Sequence, residues 1–524
     1  MKDVQESKPI KYDTILVLDF GGQYCHLITK RIREQRVYSE IVPCDITADA
    51  LMQLREQFDV KGLILSGGPS SVYEDDAPRL DPEILDLDLP ILGLCYGHQL
   101  LIHLFKGSVK RGHKREYGSA SVLVEKPVAI LENLKRKETV WMSHYDTVDA
   151  LPNTFEVLAH TDNCPIAAVR HKRRPIYGIQ WHPEVAHTEH GGIILRNFIF
   201  NICGCSASWN PSSVIDTAIE EIRRTVNGKR AIIGLSGGID STTATILSSK
   251  ALGKNLTAVF VDHGFMREGE PDYVAKTFAK FNVNLVVIDA QRRFFTKLKG
   301  IVDPEEKRKI IGEEFIRVFE DVAKKTEAEY LIQGTIYPDR IESGVRKRSE
   351  KIKSHHNVAG IPSNIGFTAI IEPLRDMYKD EVREIARSLG VPDALRLRQP
   401  FPGPGLAVRI IGEATLESAD LLRKADKIVT EEIENNQALE ETLWQYFAVL
   451  TNIRSTGVKG DTRAYGSVLA IRVVESREAM TARFAQIPYS VLERMSTRIT
   501  NELPQITRVV YDITHKPPAT IEWE

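Results

Sequence analysis

No cysteine follows Cys205 in this chain of 524 residues. A secreted disulfide framework would not leave so long a stretch without a cross-link. Long apolar runs are missing as well: none approaches the ~20 residues that a membrane-spanning helix needs. The opening "MKDVQESKPIKYD" is polar and has no signal-peptide core. The expected compartment is therefore the cytoplasm, with no membrane partner. Neither sign of charge dominates, with 69 Lys and Arg against 71 Asp and Glu and a net charge of −2, which predicts no broad affinity for nucleic acid. Two nucleotide signatures are also absent. There is no GxxxxGK[ST] and no GxGxxG, so the chain carries neither a Walker-A loop nor a dinucleotide fingerprint. Internal repeats and low-complexity tracts are lacking too.

What is present reads as a soluble globular protein, 42% apolar and 27% charged, long enough for about three domains. Residues 12–203 alternate apolar strands ("TILVLDF", "GLILSGG", "PILGLC", "PIYGIQW") with helical stretches. Small and polar residues with a proline at 204–213 read as a linker. A second alternation fills 214–399, with strands "AIIGL", "LTAVFVD", "NLVVIDA", "YLIQG" and "TAIIEP". Prolines and glycines in "RQPFPGPG" end it, and 400–524 mixes helices with strands. The expected class is α/β: two doubly wound, mainly parallel sheet domains plus a small C-terminal α+β domain.

The turn Gly93-Leu-Cys-Tyr-Gly97 follows an apolar strand and opens a helix. Such a turn strains and exposes its central residue, and the helix N-terminus favours a thiolate at Cys95. A cysteine packed in a core strand gains nothing from flanking glycines. The Tyr96 N–H, with the backbone at Gly68, forms a candidate oxyanion hole. "GIQWHPEV" supplies His182 and Glu184, two apart, so that Glu184 orients the imidazole toward the thiol. Cys203-Gly-Cys205 has no second cluster at zinc spacing and reads as two thiols at a domain edge.

"GLSGGIDST" (234–242) joins a strand to a helix through a Gly-rich loop suited to an anion. Hydroxyls, glycines and Asp240 without a lysine suit a Mg²⁺-bound pyrophosphate leaving group better than transfer of a γ-phosphate.

Taken together, "GLCYGHQ", "MSHYD" (142–146) and "WHPEV" resemble the class I glutamine amidotransferases over residues 12–203. The resemblance implies glutamine hydrolysis through a Cys95 thioester, with His182 as base and Glu184 as its orienter. It also implies glutamine contacts from Gln99 and from Ser143, His144, Tyr145 and Asp146. "SGGIDS" resembles the loop of the N-type ATP pyrophosphatases, which adenylylate an oxygen so that a nucleophile can displace AMP. Over the whole chain, "GFMREGE", "QGTIYPDRIES", "KSHHNV", "QPFPGPGLAVRI" and "ITHKPPATIEWE" resemble the GMP synthetase family.

That resemblance implies xanthosine monophosphate (XMP) activated by ATP and aminated by glutamine-derived ammonia. It implies ATP contacts from Ser236, Gly237, Gly238, Ile239, Asp240, Ser241, Thr242, Lys353, His355 and Lys379, and XMP contacts from Arg267, Asp339, Lys516 and Glu522. Mg²⁺ on Asp240, no organic cofactor and a homodimer through 400–524 complete it. The basic run "RKRSEKIKSHH" (346–356) has no interleaved aromatics, and two phosphate-bearing substrates account for its charge as well as RNA would. Two other readings stay open at this point. One is a related fusion that adenylylates a carboxylate or an RNA base; the other is a non-catalytic nucleotide sensor.

Overall fold

In the computed structural model, which describes residues 11–344, 367–436, 439, 443–476 and 481–524, the chain divides into two units between Asn210 and Pro211. The first holds a nine-stranded sheet. Its strands are β1 (Asp13–Asp19), β2 (Tyr38–Pro43), β3 (Asp59–Leu65), β4 (Ile91–Leu94), β5 (Ser108–Val124), β6 (Lys137–Ala150), β7 (Phe155–His160), β8 (Ala168–His171) and β9 (Ile176–Ile179). They lie in the order β2-β1-β3-β4-β9-β8-β7-β5-β6. Pairing is parallel from β2 to β9. Ile15 and Val17 of β1 join one apolar cluster, with Ile28 and Ile32, while Leu16 and Leu18 join another, with Leu51 and Leu100. Both faces of this half are thus buried, which is why its strands read as unbroken apolar runs.

From β9 to β6 the pairing is antiparallel, so the expected parallel sheet is extended by an antiparallel half. Burial along β6 largely alternates. Trp209 packs edge-on against Tyr12 and Tyr38, at 5.0 and 4.8 Å, and its backbone N–H donates to the Arg36 carbonyl at 2.8 Å. Much of the segment expected to be a linker therefore lies on the first unit.

The second unit contains β10 (Ala231–Gly234), β11 (Leu256–Asp262), β12 (Leu285–Asp289), β13 (Tyr330–Ile332) and β14 (Ala369–Ile371). The order is β12-β11-β10-β13-β14, parallel throughout. The chain leaves β10 toward β11 and returns to its other side at β13. That reversal opens a crevice at the C-terminal end of β10, the usual place for a ligand in such sheets. Further on, β15 (Gln445–Lys459) and β16 (Thr462–Glu475) form an antiparallel hairpin. The short β17 (Arg483–Phe484) and the parallel β18 (Ile506–Tyr511) also pair with β16. One apolar cluster joins Val259, Phe265 and Phe294 to Leu406, Leu422, Ile471 and Met495, so the segments 214–399 and 400–524 share a core.

Candidate active sites

In the first unit, Cys95 follows β4 and caps the helix Tyr96–Leu104, with φ 52° and ψ −103°. Its two glycines are steric requirements. A Cβ on Gly93 would lie 2.5 Å from the Gly97 carbonyl, and one on Gly97 would lie 2.4 Å from the Leu65 carbonyl oxygen. The strained turn therefore lies flat against β3 and projects its thiol, as the spacing predicts. Among the described residues neither the Tyr96 nor the Gly68 N–H has an intramolecular acceptor. The Tyr96 hydroxyl is spent elsewhere, on the Pro78 carbonyl, so only its N–H is available to a ligand.

His182 lies just beyond β9, the strand next to β4. Both side chains border Gly67: a Cβ built there would lie 3.1 Å from His182 Cε1 and 3.7 Å from Cys95 Cβ. Glu184 Oε1 lies 2.7 Å from His182 Nδ1, and the carboxylate is fully buried. The segment is clamped on three sides. Thr188 Oγ1 donates to the His182 carbonyl at 2.6 Å, Arg31 Nε to the Glu184 carbonyl at 3.0 Å, and the His182 N–H to the Trp141 carbonyl at 3.1 Å. Burial pushes the imidazole down, but the Glu184 charge and the Cys95 and Glu184 bonds prevail and hold it well above its ordinary value. It is therefore poised to carry a proton opposite the thiol.

Around them, Cys95 Sγ lies 3.6 Å from the Ser143 carbonyl. Gln99 Nε2 donates to the Asp146 carbonyl at 2.8 Å and to Gln180 Oε1 at 3.1 Å, so both of its amide hydrogens are taken within the protein. His144 is held between the Asp146 carbonyl and Glu116, at 3.0 and 3.2 Å. Tyr145 carries the Arg111 and Arg115 guanidinium groups over its ring at 4.3 and 4.9 Å. Asp146 Oδ1 accepts from the Tyr73 hydroxyl at 3.0 Å. Tyr73, Glu116 and Gln180 belong to this neighbourhood without having been evident from the motifs, because each meets it from a different strand or loop.

The second constellation starts at the end of β10, where Ser236, Gly237 and Gly238 run into the helix Ile239–Leu252. Gly237 has φ +79°, a conformation that favours glycine. Ser241 Oγ lies 2.9 Å from Ser236 Oγ and accepts from the Ser236 N–H at 3.2 Å, which folds the loop over the helix N-terminus. Thr242 is buried behind it. Asp240 Oδ2 accepts from Lys379 Nζ at 2.5 Å, whereas Oδ1 is shielded from solvent and has no partner among the described residues. A carboxylate oxygen left open beside an anion-binding loop fits a hard cation such as Mg²⁺.

Arg398 forms a double ion pair with Glu270. A Cβ on Gly237 would lie 3.0 Å from Glu270 Oε1 and 3.9 Å from Arg398 Nη1, so this pair borders the loop. Arg267 and Arg409 both lie over the Phe401 ring, at 4.5 and 5.3 Å. Arg267 Nε and Nη2 are shielded and unpartnered among the described residues. Burial and the neighbouring Arg398 charge pull its guanidinium down to about 10, which leaves it charged at neutral pH. Glu522 accepts from Arg409 Nε and Nη2, at 3.0 and 2.8 Å, and from Gln445 Nε2 at 2.7 Å. The loop thus borders the Glu270–Arg398 pair, whose Arg398 charge reaches Arg267, and Arg267 shares the Phe401 ring with Arg409, which holds Glu522; Glu270, Arg398, Phe401 and Arg409 were not singled out from sequence. Asp339 accepts from the Ile336 N–H at 3.1 Å, and the Lys516 backbone pairs with that of Ala482. Lys353 and His355, with Arg346, Lys347, Arg348 and Lys351, lie outside the described residues.

Residues 16–202 match the model of glutamine amidotransferase class-I, 211–392 the PP-loop domain, and 431–523 the GMP synthase C terminal domain. The glutamine-hydrolyzing GMP synthase of Caldicellulosiruptor saccharolyticus is 51% identical over 98% of this chain and 100% of its own length. That of Acetivibrio thermocellus is 51% identical over 98% and 99%. The one from Thermosynechococcus vestitus is 49% identical over 100% and 98%. This chain belongs to the glutamine-hydrolyzing GMP synthase family.

Proposed function

We propose that this chain aminates XMP to GMP at the expense of ATP, with ammonia from glutamine, and that the residues above divide that work between two sites. In the first, the Cys95 proton passes to His182 Nε2 while Glu184 holds Nδ1, and the thiolate attacks the glutamine side-chain carbonyl carbon. Negative charge gathers on that oxygen, opposite the Tyr96 and Gly68 N–H groups. The C–N bond breaks as His182 returns the proton to the leaving nitrogen, which releases ammonia. Water then cleaves the thioester to glutamate and restores the thiol.

In the second site the purine 2-oxygen of XMP attacks the α-phosphorus of ATP. Pyrophosphate leaves into the loop Ser236–Thr242, where backbone N–H groups and the Lys379 charge receive it. Ammonia then displaces AMP from the purine carbon. Mg²⁺, held through Asp240, would neutralise phosphate charge. Arg267 offers unpaired donors to an XMP anion. The observation that carries the reading is the pairing, in one chain, of a strained thiol turn facing His182 and Glu184 with a lysine-free anion loop. The assay is GMP formation from XMP, ATP, Mg²⁺ and glutamine, with AMP and pyrophosphate released one for one. Turnover of a carboxylate or RNA substrate, with none of XMP, would overturn it.

A homodimer through the last segment is part of the same proposal. Ile453, Val458 and Tyr465 of the β15–β16 hairpin are 59%, 77% and 64% exposed, a large amount of apolar surface to leave in water. Light scattering is expected to give twice the 59.0 kDa of one chain, and Val458→Lys is expected to lower it. A monomer at working concentration would refute this part.

A further inference from the structure

Gln180 lies directly after β9 and is fully buried, yet the chemistry above makes no use of it. Its amide stands between Gln99 and the reactive sulfur. Oε1 accepts from Gln99 Nε2 at 3.1 Å, and Nε2 lies 3.6 Å from Cys95 Sγ. The backbone dictates which way the amide faces. A carbonyl only accepts, so the Asp146 carbonyl, 2.8 Å from Gln99 Nε2, turns the Gln99 NH₂ group toward itself. The second hydrogen of that group points at Gln180. A flipped Gln180 would set one NH₂ against another. Its own NH₂ group therefore faces the sulfur.

Building on Cys95 as the glutaminase nucleophile, we infer that Gln180 donates a hydrogen bond to the Cys95 thiolate and is held in that orientation, through Gln99, by the Asp146 carbonyl. Besides His182, the other polar group at the sulfur among the described residues is the Ser143 carbonyl, at 3.6 Å. It accepts from the thiol and repels the thiolate. When the proton passes from Sγ to His182, the sulfur loses the Ser143 carbonyl as a partner and keeps Gln180 as a donor beside the imidazolium. A hydrogen bond to an ionised acceptor is roughly twice as strong as one between neutral groups, so Gln180 favours the thiolate over the thiol. The bond weakens again once the sulfur becomes a neutral thioester. Its stabilisation thus falls on the ionised sulfur rather than on the acyl-enzyme. Gln99, which does not touch the sulfur, is a positioning residue in this scheme.

The test uses the full chain with Gln180→Met, which keeps the length and removes the donor, Gln180→Glu, which sets a carboxylate against the sulfur, and Gln99→Met. Iodoacetamide alkylation of the Cys95 peptide is followed by mass spectrometry across pH, beside glutamine kcat and KM. GMP formation from ammonium salt bypasses Cys95 and reports folding. In Gln180→Met the thiol midpoint is expected to rise by about one pH unit, with a roughly tenfold lower kcat, since one unit is a tenfold change in ionisation. The glutamine KM is expected to stay within about twofold of the parent. Gln180→Glu should move the midpoint further. Gln99→Met should move it in the same direction, and the Gln99→Met, Gln180→Met double variant should add nothing. An unmoved midpoint in both Gln180 variants, with a raised KM or only a lowered Tm, would overturn the inference in favour of a substrate contact or a core role. Failure of the underlying reading is distinguishable: glutamine hydrolysis would then survive Cys95→Ala. Should Gln180→Met not fold, Gln180→Glu and Gln99→Met carry the test.

Discussion

Glu184→Gln removes a charge at the first site and almost nothing else. The carboxylate is 1% exposed and lies 2.7 Å from His182 Nδ1. Burial alone would push the imidazole down, and the Glu184 charge is the first of the groups that hold it up. Breaking a buried pair costs about 3–5 kcal/mol, and the new amide recovers about 1 kcal/mol as a neutral hydrogen bond. The imidazolium that must form in the reaction therefore loses about 2–4 kcal/mol, or roughly 30- to 900-fold in rate at about 1.36 kcal/mol per decade. Glutamate release should fall by that factor, while GMP synthesis from ammonium salt stays within about twofold of the parent. Stability carries a second signature. Because the folded imidazole is held above its ordinary value, the pairing stabilises the fold fully below about pH 6.5 and is lost as pH rises through the raised value. The Tm gap between parent and variant should be widest near pH 6 and close toward alkaline pH. Glutaminase activity within about threefold of the parent, or a gap that widens with pH, would refute the assignment of Glu184.

Gly97→Ala would place a Cβ 2.4 Å from the Leu65 carbonyl oxygen and 2.7 Å from Leu65 Cβ. It should cost about 1–3 kcal/mol by overpacking and abolish glutamine use, as read by thermal melting and glutamate release. Arg267→Met should separate function from stability. It removes a shielded guanidinium with two nitrogens unpartnered among the described residues, so the melting temperature should hold or rise, while KM for XMP rises at least about tenfold, as the loss of a charge-assisted hydrogen bond implies. An unchanged KM would take Arg267 out of the XMP site.

Both candidate sites were legible in the sequence because each is a short, contiguous device. The glycines around Cys95 and the lysine-free loop before Asp240 write their backbone geometry into neighbouring residues. The parallel strands were legible for a related reason: β1, β4 and β10 are buried on both faces and read as plain apolar runs. β5 was not, because "SVKRGHKREYGSASVLV" carries charge along a strand whose pairing with β6 is set across a connecting loop. Likewise Gln180 gains its place from Gln99 and Cys95 at once, and its segment meets the turn and helix that carry both only in the folded sheet. The partners of Arg398 and Arg409, Glu270 and Glu522, lie more than 100 residues away in the chain. No periodicity records such a pairing. The shared core of Phe265, Leu406 and Ile471 was hidden in the same way, since the proline-rich stretch between those segments reads as a boundary.

The central claim is that two separable chemistries share one chain, and the most direct measurement is a two-by-two assay of nitrogen source against site. GMP formation is followed with glutamine and with ammonium salt, for Cys95→Ala and for Asp240→Ala. Cys95→Ala should lose synthesis from glutamine and retain synthesis from ammonium. Asp240→Ala, which removes the open carboxylate oxygen beside the loop, should lose both. A Cys95→Ala protein that is folded yet fails with ammonium, or an Asp240→Ala protein that still makes GMP from either source, would contradict the account.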